Sequence, residues 1–149
     1  MQRNTMALLA NSMSKSRSES LFSDSAAVLR EFERAIHLTP SITALLLSTA
    51  DGRAVADVSN IPVDPRRLAA MTNSFLTLGE TMAKELGMAA ADHATVRTPD
   101  GNMVLIRIDA AQPLTLTSIG RSDATLATLL FATRECAHRI REHLPAPAL

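Results

Sequence analysis

Few side chains in this chain are suited to nucleophilic, acid–base or metal chemistry: one cysteine, Cys136, and four histidines, His37, His93, His138 and His143. A cysteine nucleophile needs a base within hydrogen-bond reach. Cys136 and His138 stand two apart in a helical stretch, so their side chains leave the axis in different directions. Cys136 therefore reads as a small apolar filler. Glu135 and His138 have the i, i+3 spacing of di-iron bundles, but such a centre takes two of these pairs and further glutamates. This chain carries one pair, and both residues read as surface positions. The other histidines lack the ligand spacing of a zinc site. Neither GxxxxGK followed by Ser or Thr, nor GxGxxG, occurs, which removes the two familiar phosphate-cradling loops. The expectation is a protein with no catalytic residues, no metal and no cofactor: not an enzyme.

Composition narrows the partners. Acidic and basic residues balance at 15 each in 149 residues, so no global field draws the chain to nucleic acid or to a membrane surface. There is no Trp or Tyr and only Phe22, Phe32, Phe75 and Phe131, too few rings for a base-stacking platform. A single cysteine forms no internal disulfide and fits a reducing compartment. The apolar runs 44–47 and 103–106 are far too short to span a bilayer, and Met6–Ala10 is too short for a signal-peptide core. These features predict a cytoplasmic protein with no nucleic-acid partner and no membrane insertion.

The elements that must position any site follow from periodicity. Residues 1–23 are rich in Ser, Asn and Met and lack periodic apolar surface, which predicts a disordered tail. A first helix is expected from about Asp24 to His37, ended by Pro40, and a buried strand over Ile42–Ser48. The Asp51-Gly52 step then turns the chain into a more polar strand, Arg53–Val58, suited to a sheet edge. Asp64 as N-cap, Pro65 at the first helical position and Gly87 as terminator bracket a long central helix. Strands are expected at Asp92–Thr98, Met103–Ile108 and Leu114–Ile119, and a last helix from about Ser122 to Leu144, with Pro145 beginning a short tail to residue 149. The order αββαβββα within residues 24–144 predicts an α+β domain with a five-stranded, mostly antiparallel sheet.

The central helix is unusual. Leu68, Met71, Phe75, Leu78, Met82 and Leu86 recur at steps of three and four, and with Ala69, Leu76, Gly79 and Ala83 they span about half the circumference, wider than the ~100° a single core-facing stripe needs. An interior glycine costs about 1 kcal/mol relative to alanine, so the wide arc with Gly79 inside it has two readings: the helix covers its own sheet and also meets a second helix closely at Gly79, or it is simply well buried in a monomer. The opposite side, expected to be exposed, carries the small polar residues Asn73, Ser74, Thr77 and Thr81. Arg66 and Arg67 sit in the first turn, where the helix dipole disfavours cations. Small polar side chains beside a misplaced arginine pair suit a docking surface for another protein, or a surface that merely tolerates them.

Four segments in this order and spacing, LLLSTADGRAVA, LAAMTNSFLTLGETMAKELG, VRTPDGNMVLIRI and LTLTSIGRSDATLATLLFATRECAHRI, resemble the Roadblock / dynein light-chain family over about Asp24 to Leu144. Two departures stand out. Bacterial relatives often open the last helix with Asn-Leu-Gly where this chain has Asp123-Ala124-Thr125, and a glycine after the ELG is replaced by alanines 89–91. The resemblance implies a central helix on one sheet face with the first and last helices on the other. It also implies a homodimer, or a heterodimer with a paralogue, in which third strands and central helices pair. On this sequence that interface falls at Leu68, Met71, Phe75, Leu78, Gly79, Met82, Thr95, Val96 and Arg97. It further implies a non-catalytic adaptor that binds and regulates a small Ras-like GTPase, for which Arg66, Arg67, Asn73, Thr77 and Thr81 form the expected partner surface. The alternatives are a structural scaffold subunit of a larger assembly and a PAS/GAF-like small-molecule sensor.

Overall fold

The architecture is seen in a computed structural model, which describes residues 25–147. The expected tail at 1–23, and Asp24 as a cap, lie outside the described residues. A helix over 25–38, α1, leads into β1 (Ile42–Thr49) and β2 (Ala54–Ser59). Helix α2 (Pro65–Glu85) precedes three further strands, β3 (His93–Thr98), β4 (Gly101–Ile108) and β5 (Leu114–Arg121), and α3 (Leu126–Glu142) follows them. The strands form one sheet in the order β2-β1-β5-β4-β3, each neighbouring pair antiparallel. This is the α+β order read from the sequence.

The more polar second strand is indeed an edge, and β3 is the opposite one. The connection from β2 to β3 must therefore cross the whole sheet. Helix α2, 21 residues and roughly 32 Å long, does this. Its ends are built by their own residues. Asp64 Oδ1 accepts from the Arg66 and Arg67 N–H groups at 3.1 and 3.4 Å. At the far end Gly87 takes φ +65°, and the N–H groups of Met88 and Gly87 donate to the carbonyls of Ala83 and Lys84, a Schellman stop.

The last helix differs from expectation at its start. It begins at Leu126, because Thr125 Oγ1 accepts from the Thr128 N–H at 3.1 Å and caps it there, while Ser122–Ala124 form a turn closed by Ala124 N–H to Arg121 O. Strand β5 correspondingly runs on to Arg121, and β4 starts at Gly101, leaving a tight Pro99-Asp100 turn. The short C-terminal tail is tied down at Pro145, whose carbonyl accepts from the Ala111 N–H at 3.2 Å.

The sheet has two unlike faces. On one, Val28, Phe32, Leu129 and Ile140 of α1 and α3 pack on Leu45, Leu47, Val104, Ile106 and Leu116 as one apolar core. The alternate residues of the same strands, Leu46, Ser48, Leu105, Arg107, Thr115 and Thr117, share the other face in register, and α2 lies over it.

Candidate functional site

Of the wide apolar arc of α2, only Ala69 and Leu76 are buried against the sheet, beside Thr72 and Asn73. Leu68 and Gly79 are half-buried. Met71, Phe75, Leu78 and Met82 are between 46% and 59% exposed, and Leu86 and Met88 continue the row. At steps of four, three and four these side chains form one stripe on the outer surface of the helix. A Cβ added at Gly79 would meet nothing within 4 Å, so the backbone there is open to close approach. Strand β3, one edge of the sheet, pairs among the described residues with β4 alone, with Thr95 and Val96 half-buried and Arg97 exposed. Exposed apolar rows of this length are the kind of surface that interaction sites use.

The polar side of α2 departs from expectation at one residue. Asn73 was placed on the exposed face, but it is only 4% exposed and points into the sheet. Its Nδ2 donates to Ser48 Oγ and to Ala69 O, both at 2.8 Å, and its Oδ1 accepts from Thr115 Oγ1 at 2.6 Å and Arg107 Nη1 at 3.1 Å. The sheet supplies polar partners beneath this turn, and a buried amide with all its groups bonded is stable there. Asn73 thus anchors the helix and is unavailable to a partner. Thr77 and Thr81 do lie at the surface, where with Asp51, Gly52 and Ser74 they border an open groove between α2 and the β1–β2 turn. Arg66 and Arg67 are exposed at the helix start and form no ion pair among the described residues.

Arg107 was missed by sequence reasoning. Its Nη2 pairs with Glu80 Oε1 at 2.7 Å and its Nη1 donates to Thr115 Oγ1 at 2.6 Å, which joins α2 to β4 and β5. The available signal was its being the lone charged residue in the apolar run MVLIRI.

The groups suited to covalent or metal chemistry do not assemble. Cys136 is buried, and its thiol is pushed up to about 12 by that burial, with the nearby Glu31 carboxylate adding to the shift. His138 Nε2 faces Glu142 Oε1 at 3.3 Å on the outside of α3. Asp92 is held below its ordinary value by its hydrogen bond from His93 and by Arg134, an exposed surface cluster. No group of three or more metal-ligating side chains occurs among the described residues, and no helix among them is long and apolar enough to cross a membrane.

No protein-family model matches the sequence, and no curated protein matches it significantly. Solved structures do match in fold. The gliding protein MglB of Thermus thermophilus superposes with a TM-score of 0.72 at 14% identity, covering 81% of this chain and 90% of that one. An MglB in a tetrameric arrangement gives 0.71 at 16% identity, with the same coverage of 81% and 90%. A Roadblock/LC7 domain from Streptomyces avermitilis gives 0.65 at 16% identity over 74% of this chain and 92% of its own. At such identities the likeness is one of backbone path, shared over most of both chains: this chain has the Roadblock fold.

Proposed function

We propose that this chain is a dimeric, non-catalytic adaptor that docks and regulates a small Ras-like GTPase. The observation that carries the reading is the outward-facing apolar stripe Met71–Phe75–Leu78–Met82 beside the open Gly79. Two copies related by a two-fold axis would lay these stripes against one another, with Gly79 admitting the facing helix and the β3 edges pairing through Thr95, Val96 and Arg97. Self-association of an MglB of the same fold supports this. A specific interface of this kind buries about 1,200–2,000 Å² in total. The GTPase follows from the resemblance to the Roadblock family. Arg66 and Arg67, exposed and unpaired at the start of α2 among the described residues, are the anchors we assign, because a guanidinium fork makes directed bonds to carboxylates. Thr77 and Thr81 extend that surface along the groove.

Light scattering tests the first step: the wild type should be a dimer at micromolar concentration, and Phe75→Asp a folded monomer. A monomeric wild type, or a folded Phe75→Asp that stays dimeric, defeats the interface. The second step is tested by titrating the dimer with a co-purifying Ras-like GTPase loaded with GDP or with a GTP analogue. Preference for one state means, by linkage, that the dimer shifts the switch toward that state. Reversal of charge at Arg66 and Arg67 should weaken docking and leave the dimer intact. Absence of binding to any such GTPase defeats the regulatory reading.

A further inference from the structure

Most of the exposed large apolar side chains among the described residues belong to the outer stripe of α2. Outside that stripe and Ile61, the rest lie in the opposite layer, Leu29 and Leu38 on α1 and Phe131 on α3. Leu38 and Phe131, 68% and 67% exposed, line one small groove between the two helices, about 150 Å³ in volume. The buried residues Ala35, Ala132 and Cys136 form its floor. The Cys136 thiol is pushed up to about 12, so this floor is uncharged at neutral pH. A space of this size takes one benzene-sized apolar group. The rim carries both signs of charge, Arg34 and Arg139 beside Glu31 and Glu135, and gives neither a cationic nor an anionic occupant an advantage.

The groove has a definite place along α1. Glu31 Oε1 meets His143 Nε2 at 3.2 Å, whereas Ala35 and Leu38 meet the groove with Phe131 and Ala132, so the two helices run antiparallel. At 1.5 Å per residue, Ala35 and Leu38 stand roughly 15–20 Å along α1 from its start at Ser25.

The chain that leads into α1 holds an occupant of the right kind. Met6-Ala7-Leu8-Leu9-Ala10 is an unbroken apolar run, and no charged residue occurs from Asn4 to Ser14. The stretch joining this run to Ser25 has serine at every second position from Ser12 to Ser20. A serine-rich coil has an r.m.s. span of about 5–6 Å times the square root of its length, roughly 20 Å from Ala10 to Ser25. That span matches the distance to the groove, the condition under which a tether gives its highest effective concentration, on the order of millimolar. An affinity of about 1 mM for the untethered segment therefore gives about half occupancy. A run too short to fold by itself can dock on such terms. The Leu21-Phe22 pair is placed too near: even fully extended, the chain from either residue reaches only about 10–14 Å from Ser25.

We propose that Met6–Ala10 docks in the groove between α1 and α3 of its own protomer, with a leucine of the Leu8-Leu9 pair seated against Leu38 and Phe131 and the serine-rich stretch serving as its tether. The groove lies across the sheet from the outer stripe of α2, so this docking is independent of the dimer and GTPase readings.

The test is amide NMR relaxation on the isotope-labelled full chain, compared among the wild type, Phe131→Ser and the double variant Leu8→Asp/Leu9→Asp. In the wild type the order parameters of Met6–Ala10 should exceed those of Ser14–Ser20, and by the same margin at every protein concentration. Both variants should bring Met6–Ala10 down to the level of Ser14–Ser20, one by removing the seat and the other by removing the occupant. Phe131 is exposed, so its replacement leaves the fold intact. The double variant should also shift the Ala35 and Ala132 amides at the groove floor. Equal order in the two stretches of the wild type overturns the proposal, as does order that survives Phe131→Ser. Shifts that fall on α2 instead of the groove overturn it too. Order that grows with concentration does the same, because it places the segment on a second copy.

Discussion

On the α1/α3 side of the sheet, Phe32, Leu129 and Ile140 meet Leu45, Leu47 and Leu116, and the layer is held by continuous apolar burial. On the α2 side the facing positions are Ser48, Thr115, Thr117 and Arg107, with Leu46 and Leu105 the main buried aliphatics of the strands. Helix α2 answers with Asn73, Thr72 and Glu80 toward the sheet and with Met71, Phe75, Leu78 and Met82 toward solvent. An ordinary surface helix is apolar inward and polar outward. Here that pattern is kept only in part: Ala69 and Leu76 face the sheet, but Asn73 is buried beside them and Met71, Phe75, Leu78 and Met82 are left outside, the arrangement on which the proposed second contact rests.

The comparison can be broken at several points. The largest effect on folding is expected in the apolar layer: Phe32→Ala removes a fully buried ring and should cost about 3–5 kcal/mol in chemical denaturation. If it costs no more than a change under α2, the two layers are not held differently. Arg107→Met comes next. It leaves Glu80 unpaired and removes one donor each from Asn73 and Thr115, for about 1–3 kcal/mol. A neutral result would mean that the polar layer contributes little to holding α2.

Smaller effects sharpen the outer side of α2. Replacing exposed Met71 with Ser should change protomer stability by no more than about 0.5 kcal/mol, as for most surface positions. Its signature lies elsewhere: the thermal midpoint of the wild type should rise with protein concentration, because association stabilises the folded state by mass action, and Phe75→Asp should abolish that dependence. A wild-type midpoint independent of concentration would show that no second copy covers the stripe.

The last effect appears only at high pH and concerns Cys136, in the apolar layer. Burial raises its folded value to about 12 against an ordinary 9.0, so the neutral thiol is favoured in the folded state. Its stabilising contribution is complete below pH 9 and is lost as pH rises through the folded value, because the unfolded thiol ionises first. Denaturation followed from pH 8 to 11 should show that decline, and Cys136→Ala should lessen it. At pH 8 the native thiol should resist alkylation and react once unfolded, as expected of a buried, protonated cysteine.

Much of this protein was legible along the chain. The type and order of the elements, the Asp64 cap, the Gly87 stop and the polar edge strand rest on interactions spanning a few residues, and periodicity and cap chemistry encode those locally. The α3 boundary slipped because Thr125 outcompeted Ser122 as a cap, a choice settled by the turn that β5 and Arg121 impose. What only the tertiary structure decided is which arc of each helix meets which surface. A half-apolar helix specifies that it has an apolar side and leaves open what that side touches. The sheet, by presenting Ser48, Thr115 and Arg107 under α2, drew Asn73 inward and left Phe75 outside. Likewise nothing in the sequence joins Leu38 to Phe131; they line one groove only because α1 and α3 pack side by side on the sheet. Local pattern sets the elements because its interactions are short-ranged in sequence, whereas the polar groups of a site find or lack partners only when distant segments pack.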